Sequence, residues 1–188
     1  GTERYNLWGN TDVRSDMRRS NVFVYINNEL ANGLESFTEI GFYNSDSFLI
    51  RHPSYAFSSV KHRVGPDNYW LNQMSFTDAD GNTLDFKGYE LYIDNYRYAE
   101  KMRHVNVDKK TYRLLQGFRG EVDDWDWEAA LLYSKAKSDD ITSNRVSNTL
   151  LKEALRDPTP AAYNPFSAGV DSNVERILVD VYRKGSSS

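Results

Sequence analysis

The sequence has no cysteine, which removes both a disulfide framework and a thiolate metal site from consideration. It has no run of about 18 apolar residues, the least a transmembrane helix needs. It has no concentrated basic stripe, and its net charge of −4 argues against nucleic acid as a partner. The opening residues Gly1-Thr2-Glu3-Arg4 lack the basic stretch and following apolar stretch of a secretory signal. No low-complexity segment or linker appears. These absences do not make the chain soluble, because barrel strands alternate and never raise mean hydropathy the way a membrane helix does. What the chain has in quantity is aromatic side chains, at 14% with Tyr the commonest, a level suited to a barrel with aromatic girdles.

Four segments read as strands: about Asn21–Leu30, Leu34–Tyr43, Thr111–Val122 and Trp125–Ser134. Ala31-Asn32-Gly33 joins the first two, with Asn-Gly supplying the positive φ that a tight hairpin requires. Asp123-Asp124 joins the last two. Long polar stretches follow each hairpin, about 44–110 and 135–188. Strands of about ten residues are long enough to cross a bilayer when tilted. Tight turns at one end and long loops at the other match outer-membrane barrels, with short periplasmic turns and long extracellular loops. Within the final stretch, Ser147 or Asn148 caps a predicted helix that runs to about Arg156 and stops before Pro158. Ser172 or Asn173 caps another from Val174 to about Tyr182, with Val174, Ile177, Leu178 and Val181 on one face. Both helices are expected to cover the outer mouth of the barrel.

Side chains alternate across a strand. One face collects Val22, Val24, Ile26, Asn28 and Leu30, then Leu34, Ser36, Thr38, Ile40 and Phe42. It continues with Tyr112, Leu114, Gln116, Phe118, Gly120 and Val122, then Trp125, Trp127, Ala129, Leu131 and Tyr133. None is charged, although the chain's 27% charged content would place about five or six charges there by chance. The opposite face holds Glu29, Glu35, Glu39, Arg113, Arg119, Glu121, Asp126 and Glu128. A charge facing lipid at mid-bilayer costs about 2–4 kcal/mol, whereas one facing a wet lumen costs little. A soluble β-sandwich binding module, carbohydrate-binding for example, also has one apolar and one wet face. Against it, Trp125, Trp127, Tyr112, Tyr133 and Phe42 lie near strand ends, where amphipathic rings favour a membrane–water boundary.

Tyr112-Arg113-Leu114-Leu115-Gln116-Gly117-Phe118-Arg119-Gly120, then an acidic turn, then Trp125-Asp126-Trp127-Glu128-Ala129-Ala130, resembles the barrel region of TonB-dependent outer-membrane transporters. Ala162-Tyr163-Asn164-Pro165-Phe166 is similar to a loop motif of that family. Pro66-Asp67-Asn68-Tyr69-Trp70-Leu71-Asn72 looks like a degraded second copy. The first hairpin, with Asn27-Asn28-Glu29-Leu30 and Glu39, is similar too. The resemblance spans most of the chain. It implies an all-β, antiparallel transmembrane barrel in the bacterial outer membrane, taking up a scarce ligand with energy coupling. Siderophore, haem, cobalamin and oligosaccharide are all open. The family's barrel has about 22 strands, and neither its plug domain nor the N-terminal segment that meets the TonB complex is present. Residues 1–188 are therefore expected to be an internal piece of the wall, ending before a next strand. On its own such a piece would form two hairpins in a curved open sheet, with edges at the first and fourth strands.

Candidate ligand-binding residues come from the loops and the lumen: Tyr69, Trp70, Tyr89, Tyr92, Tyr96, Arg113, Arg119 and Glu39. The loop aromatics, which also include Phe76, Phe86 and Tyr98, are interleaved with Asp and Asn; they can stack on a ligand or pack the loop upon itself. His52, His62 and His104 have no metal-ligand spacing and read as solvated loop histidines. Asp78-Ala79-Asp80-Gly81-Asn82 with Asp85 has calcium-loop oxygens but lacks the terminal Glu, Tyr89 standing there; Asp-Gly-Asn is also a good turn. Glu35 and Glu39 share a face without implying a catalytic pocket. No nucleophile elbow or phosphate-binding glycine loop appears. The chain is expected to bear no catalytic, metal or cofactor site and to meet outer-membrane lipid and a small-molecule or oligosaccharide ligand.

Overall fold

The structure, a computed structural model, describes residues 9–54, 61–93, 96–167 and 172–187. In chain order the elements are β1 (Asp16–Glu29), β2 (Glu35–Arg51), β3 (His62–Val64), α1 (Tyr69–Gln73), β4 (Phe76–Thr77), β5 (Thr83–Leu84), β6 (Leu91–Ile93), β7 (Arg103–Val122), β8 (Trp125–Val146), α2 (Asn148–Ala154) and β9 (Leu178–Ser187). The fold is mostly antiparallel β-sheet, as the alternation implies. A five-stranded sheet runs β1-β2-β7-β8-β9; two-stranded sheets pair β3 with β6 and β4 with β5. The five-stranded sheet is not closed among the described residues. The chain forms two compact units, one within Ile50–His104 and Thr142–Val181, the other within Asp12–Leu49, Val105–Ile141 and Tyr182–Ser188.

In the second unit, the sheet unit, the expected turns form for the expected reason. Asn32 and Gly33 adopt φ of 64° and 71°, and Asp123 adopts 53°. Asn, Asp and Gly tolerate that left-handed region at least cost. Leu30 N–H closes the first turn on the Leu34 carbonyl at 2.7 Å. From there β1 and β2 pair without interruption from Glu29↔Glu35 to Asp16↔Phe48.

The structure corrects four expectations. The strands outlast their apolar alternation: β7 and β8 have 20 and 22 residues, so much of the stretches assigned to loops is strand. Backbone pairing needs no apolar side chain, and Asn44 to Ser47 pair with Met17 to Ser20 regardless. The predicted helix from Val174 to Tyr182 is replaced by a 3-10 helix, Ser172–Ile177, followed by β9. Leu178, Val179, Val181 and Tyr182 favour a strand once an edge is available to pair with. A fifth strand therefore is present, and the open edges are β1 and β9 rather than β1 and β8.

The first unit, the loop unit, has its own core. Leu71, Tyr98, Leu151, Leu155, Tyr163 and Ile177 are fully buried in it. Each such side chain contributes about 1.5–3 kcal/mol of burial. Ser147 caps α2, its side chain accepting from Leu150 N–H, and α2 presents Leu151 and Ala154 to that core. A stretch expected to be irregular is thus a packed small domain.

Candidate functional site

The faces of the sheet unit can be followed from strand to strand. Val22, Val24, Ile26 and Asn28 stand opposite Phe42, Ile40, Thr38 and Ser36. Thr38 Oγ1 donates to Gln116 Oε1 at 2.6 Å, and Gln116 Nε2 donates to Ser36 Oγ at 3.1 Å. The Phe42 and Tyr112 rings meet at 5.2 Å. These contacts put the even-numbered residues of β1, β2 and β7 on one face. The side-chain direction of Gly120 leads to Trp127 Nε1 at 3.4 Å and Leu34 Cδ1 at 3.6 Å, which brings β8 in with Trp127. The face without charge is continuous across four strands.

The reverse face carries the ions. Arg119 Nε donates to Glu35 at 2.6 Å, and Arg113 lies 3.3 Å from Glu39. Arg119 also offsets the like-charge apposition of Glu29 and Glu35, which stand directly opposite each other. Between the pairs, the outer edge of the Phe37 ring packs against Gly117, with the Arg119 guanidinium 5.8 Å from the ring centre. Toward the other end of the strands, charge returns to the first face: Arg18 faces Asp46, and Lys110 binds Asp108 at 3.2 Å. The charge-free band is therefore bounded.

The eight candidate residues do not form one cluster. Glu39 and Arg113 pair on the charged face of the sheet unit, and Arg119 lies on that face with Glu35. The other five belong to the loop unit. Tyr69 and Trp70 stack edge to face at 5.1 Å on α1. Tyr96 packs against the core beside Tyr98, one of the loop aromatics spent on packing, as Phe76 and Phe86 also are. Tyr89 and Tyr92 are exposed.

The two segments that look like copies of one motif meet. Asn68, fully buried, donates to the Leu155 and Tyr163 carbonyls at 3.2 and 3.3 Å and caps α1 by accepting from Leu71 N–H. Trp70 Nε1 donates to the Ala162 carbonyl at 3.0 Å, and Tyr163 Oη donates to the Tyr98 carbonyl at 2.8 Å. This clasp is a structural role for Trp70 that its sequence context did not reveal.

Of the three histidines expected to be solvated loop residues, His104 is exposed and His52 partly so, and one departs from the expectation. His62 is buried edge-on against Tyr98, where desolvation and then the nearby Lys152 hold its pKa below the ordinary value. The His52 carbonyl accepts from Arg103 at 2.9 Å, and His104 belongs to β7. The Asp78 carboxylate accepts from Asp80 N–H, Asn82 N–H and Asn82 Nδ2, closing the β4–β5 turn, and these bonds lower its pKa. Those acceptor positions are thus used by the turn itself.

Sequence reasoning missed a basic cleft in the loop unit. Lys61, Arg63, Thr149, Lys152, Glu153 and Arg156 surround about 670 Å³, with His62 in the wall. Glu90 holds Arg63 at 2.8 Å and Arg156 at 3.0 Å, and Arg63 lies 4.6 Å over the Tyr92 ring. The signal was faint: Lys61 and Arg63 two apart at the start of β3, and Lys152 and Arg156 four apart around the end of α2.

No protein-family model matches the chain, and no curated protein or solved structure matches it.

Proposed function

We propose that this chain is a section of the wall and extracellular loops of a TonB-dependent outer-membrane receptor, serving energy-coupled uptake of a scarce ligand. The observation that carries the reading is the separation of charge between the faces of the four-strand stretch β1-β2-β7-β8. One face is free of charge from Leu34 to Phe42 along β2; the other holds Glu35–Arg119 and Glu39–Arg113. About ten residues at about 3.4 Å each, tilted by about 40°, give a band about 25 Å tall, the height of an outer-membrane apolar belt. On this reading the charge-free face meets lipid and the ion pairs face a wet lumen. Strand extensions carrying Arg18, Asp46, Asp108 and Lys110 rise beyond the belt.

The test is insertion of the gene product that contains this segment, expressed in a Gram-negative host. Val24→Arg or Leu114→Arg, on the charge-free face, is expected to block assembly in the outer membrane. Asn27→Arg, on the reverse face opposite Phe37, is expected to assemble normally. Equal tolerance at all three positions, with the protein monomeric without detergent, would overturn the reading.

A further inference from the structure

We propose that the cleft between β3 and α2 is an anion-binding site, taking a small solute with two or more carboxylate or phosphate groups. Its cations come from segments about 90 residues apart in sequence: Lys61 and Arg63 on one wall, Lys152 and Arg156 on the other. Like charges repel, so a fold that gathers four of them around one cleft forgoes stability unless something negative enters. The internal compensation is partial, two carboxylates against four cations. Glu153 lies on the rim, and Glu90 reaches Arg63 and Arg156 through one nitrogen of each guanidinium. A guanidinium has five N–H donors, so each retains directions in which to bind an oxyanion. Neither Lys61 nor Lys152 has an ion-pair partner among the described residues.

Positioning distinguishes this cleft from a merely solvated basic surface. Glu90 ties the two arginines together across the walls, Arg63 to Oε2 and Arg156 to Oε1. Tyr92 supports the Arg63 guanidinium by a cation–π contact. Two planar forks held in place are a means of recognising carboxylate or phosphate by paired hydrogen bonds, with the lysines adding point charge. A cavity of about 670 Å³ is in the range that holds small ligands. His62 in the wall, with its lowered pKa, adds no lasting charge near neutral pH, so affinity comes from groups that stay cationic.

As a statement about transported substrate, the proposal rests on the receptor reading above; as a statement about binding, it does not. Titration calorimetry on the full-length protein, with citrate and pyrophosphate as probes and maltose as a neutral control, separates the two. Both anions are expected to bind, maltose not, with affinity falling as salt rises from about 0.05 to 0.5 M. Lys61→Gln/Lys152→Gln, two exposed positions, should weaken binding about tenfold or more. Glu153→Gln should strengthen it, and Lys87→Gln, outside the cleft, should leave it unchanged. Absence of anion binding, or binding indifferent to both cleft variants, overturns the site even where the protein inserts in the membrane. Binding that follows the pattern in a protein that needs no detergent supports the site and overturns the receptor reading instead.

Discussion

Thr38→Val tests the environment of the charge-free face most directly, because its sign depends on what covers that face. Thr38, Gln116 and Ser36 are half-buried and form a chain: Thr38 Oγ1 to Gln116 Oε1 at 2.6 Å, Gln116 Nε2 to Ser36 Oγ at 3.1 Å and to the Gly117 carbonyl at 3.2 Å. These polar groups lie near the middle of the proposed belt. In water each would be satisfied by solvent; in hydrocarbon each depends on the others. Thr38→Val removes the donor to Gln116 Oε1. Against lipid, leaving that oxygen without a donor costs about 1–3 kcal/mol. Gln116→Leu removes the most demanding group and leaves two hydroxyls that can turn to backbone carbonyls, so its cost should be small. The double variant replaces the interacting pair by apolar side chains and should fall near wild type, giving a coupling of about 1–3 kcal/mol. The assay is reversible urea unfolding of the full-length protein in lipid vesicles, followed by tryptophan fluorescence. A Thr38→Val change within about 0.3 kcal/mol of wild type, or a double variant as costly as both single changes added, would show that water reaches this face.

Gly117→Ala is expected to destabilise the sheet unit by about 1–3 kcal/mol, since the added Cβ overlaps the edge of the Phe37 ring. Phe37→Leu in the same chain should recover part of that loss in the same unfolding assay, and additive losses would contradict the packing described. The loop unit should lose stability in acid: Thr159 and Arg176 hold Asp157 at a pKa of about 2, against an ordinary 3.8. The unfolded chain therefore takes up the proton first, so this contribution is complete above pH 3.8 and disappears as pH falls to about 2. Unfolding midpoints at several pH values should show that slope, and Asp157→Asn should flatten it.

The turns were legible because they depend on residues whose backbone conformation is special: Asn32-Gly33 and Asp123 leave few alternatives. Helix α2 was legible from its Ser147 cap and the proline beyond it. The strand extensions were not, since Asn44-Ser45-Asp46-Ser47 has no apolar rhythm and is held by backbone pairing set lower in the hairpin. The segment from Val174 misled because its apolar residues fall at helical spacing, while the neighbouring strand offered an edge that only the tertiary structure supplies. The candidate site divided in the same way. Charges on one face of the strands could be read from period two, and Glu39 and Arg113 do pair. Which loop aromatics would be core could not be read, because Tyr96 and Tyr92 differ only in what folds against them. The basic cleft depends wholly on two distant segments meeting.

The clasp between the two similar motifs also bears on how the molecule assembles. Asn68 and Tyr163 are 95 residues apart in sequence, yet nearly half of the chain between them lies in β7 and β8, joined by a two-residue turn. Once that hairpin forms, the span left to close is about half as long, lowering the entropic cost by about 0.6 kcal/mol. The local hairpin is thus expected to form first and the clasp afterwards. A change such as Asn68→Ala should then act mainly on the rate at which the loop unit opens, and much less on the rate at which the hairpin forms.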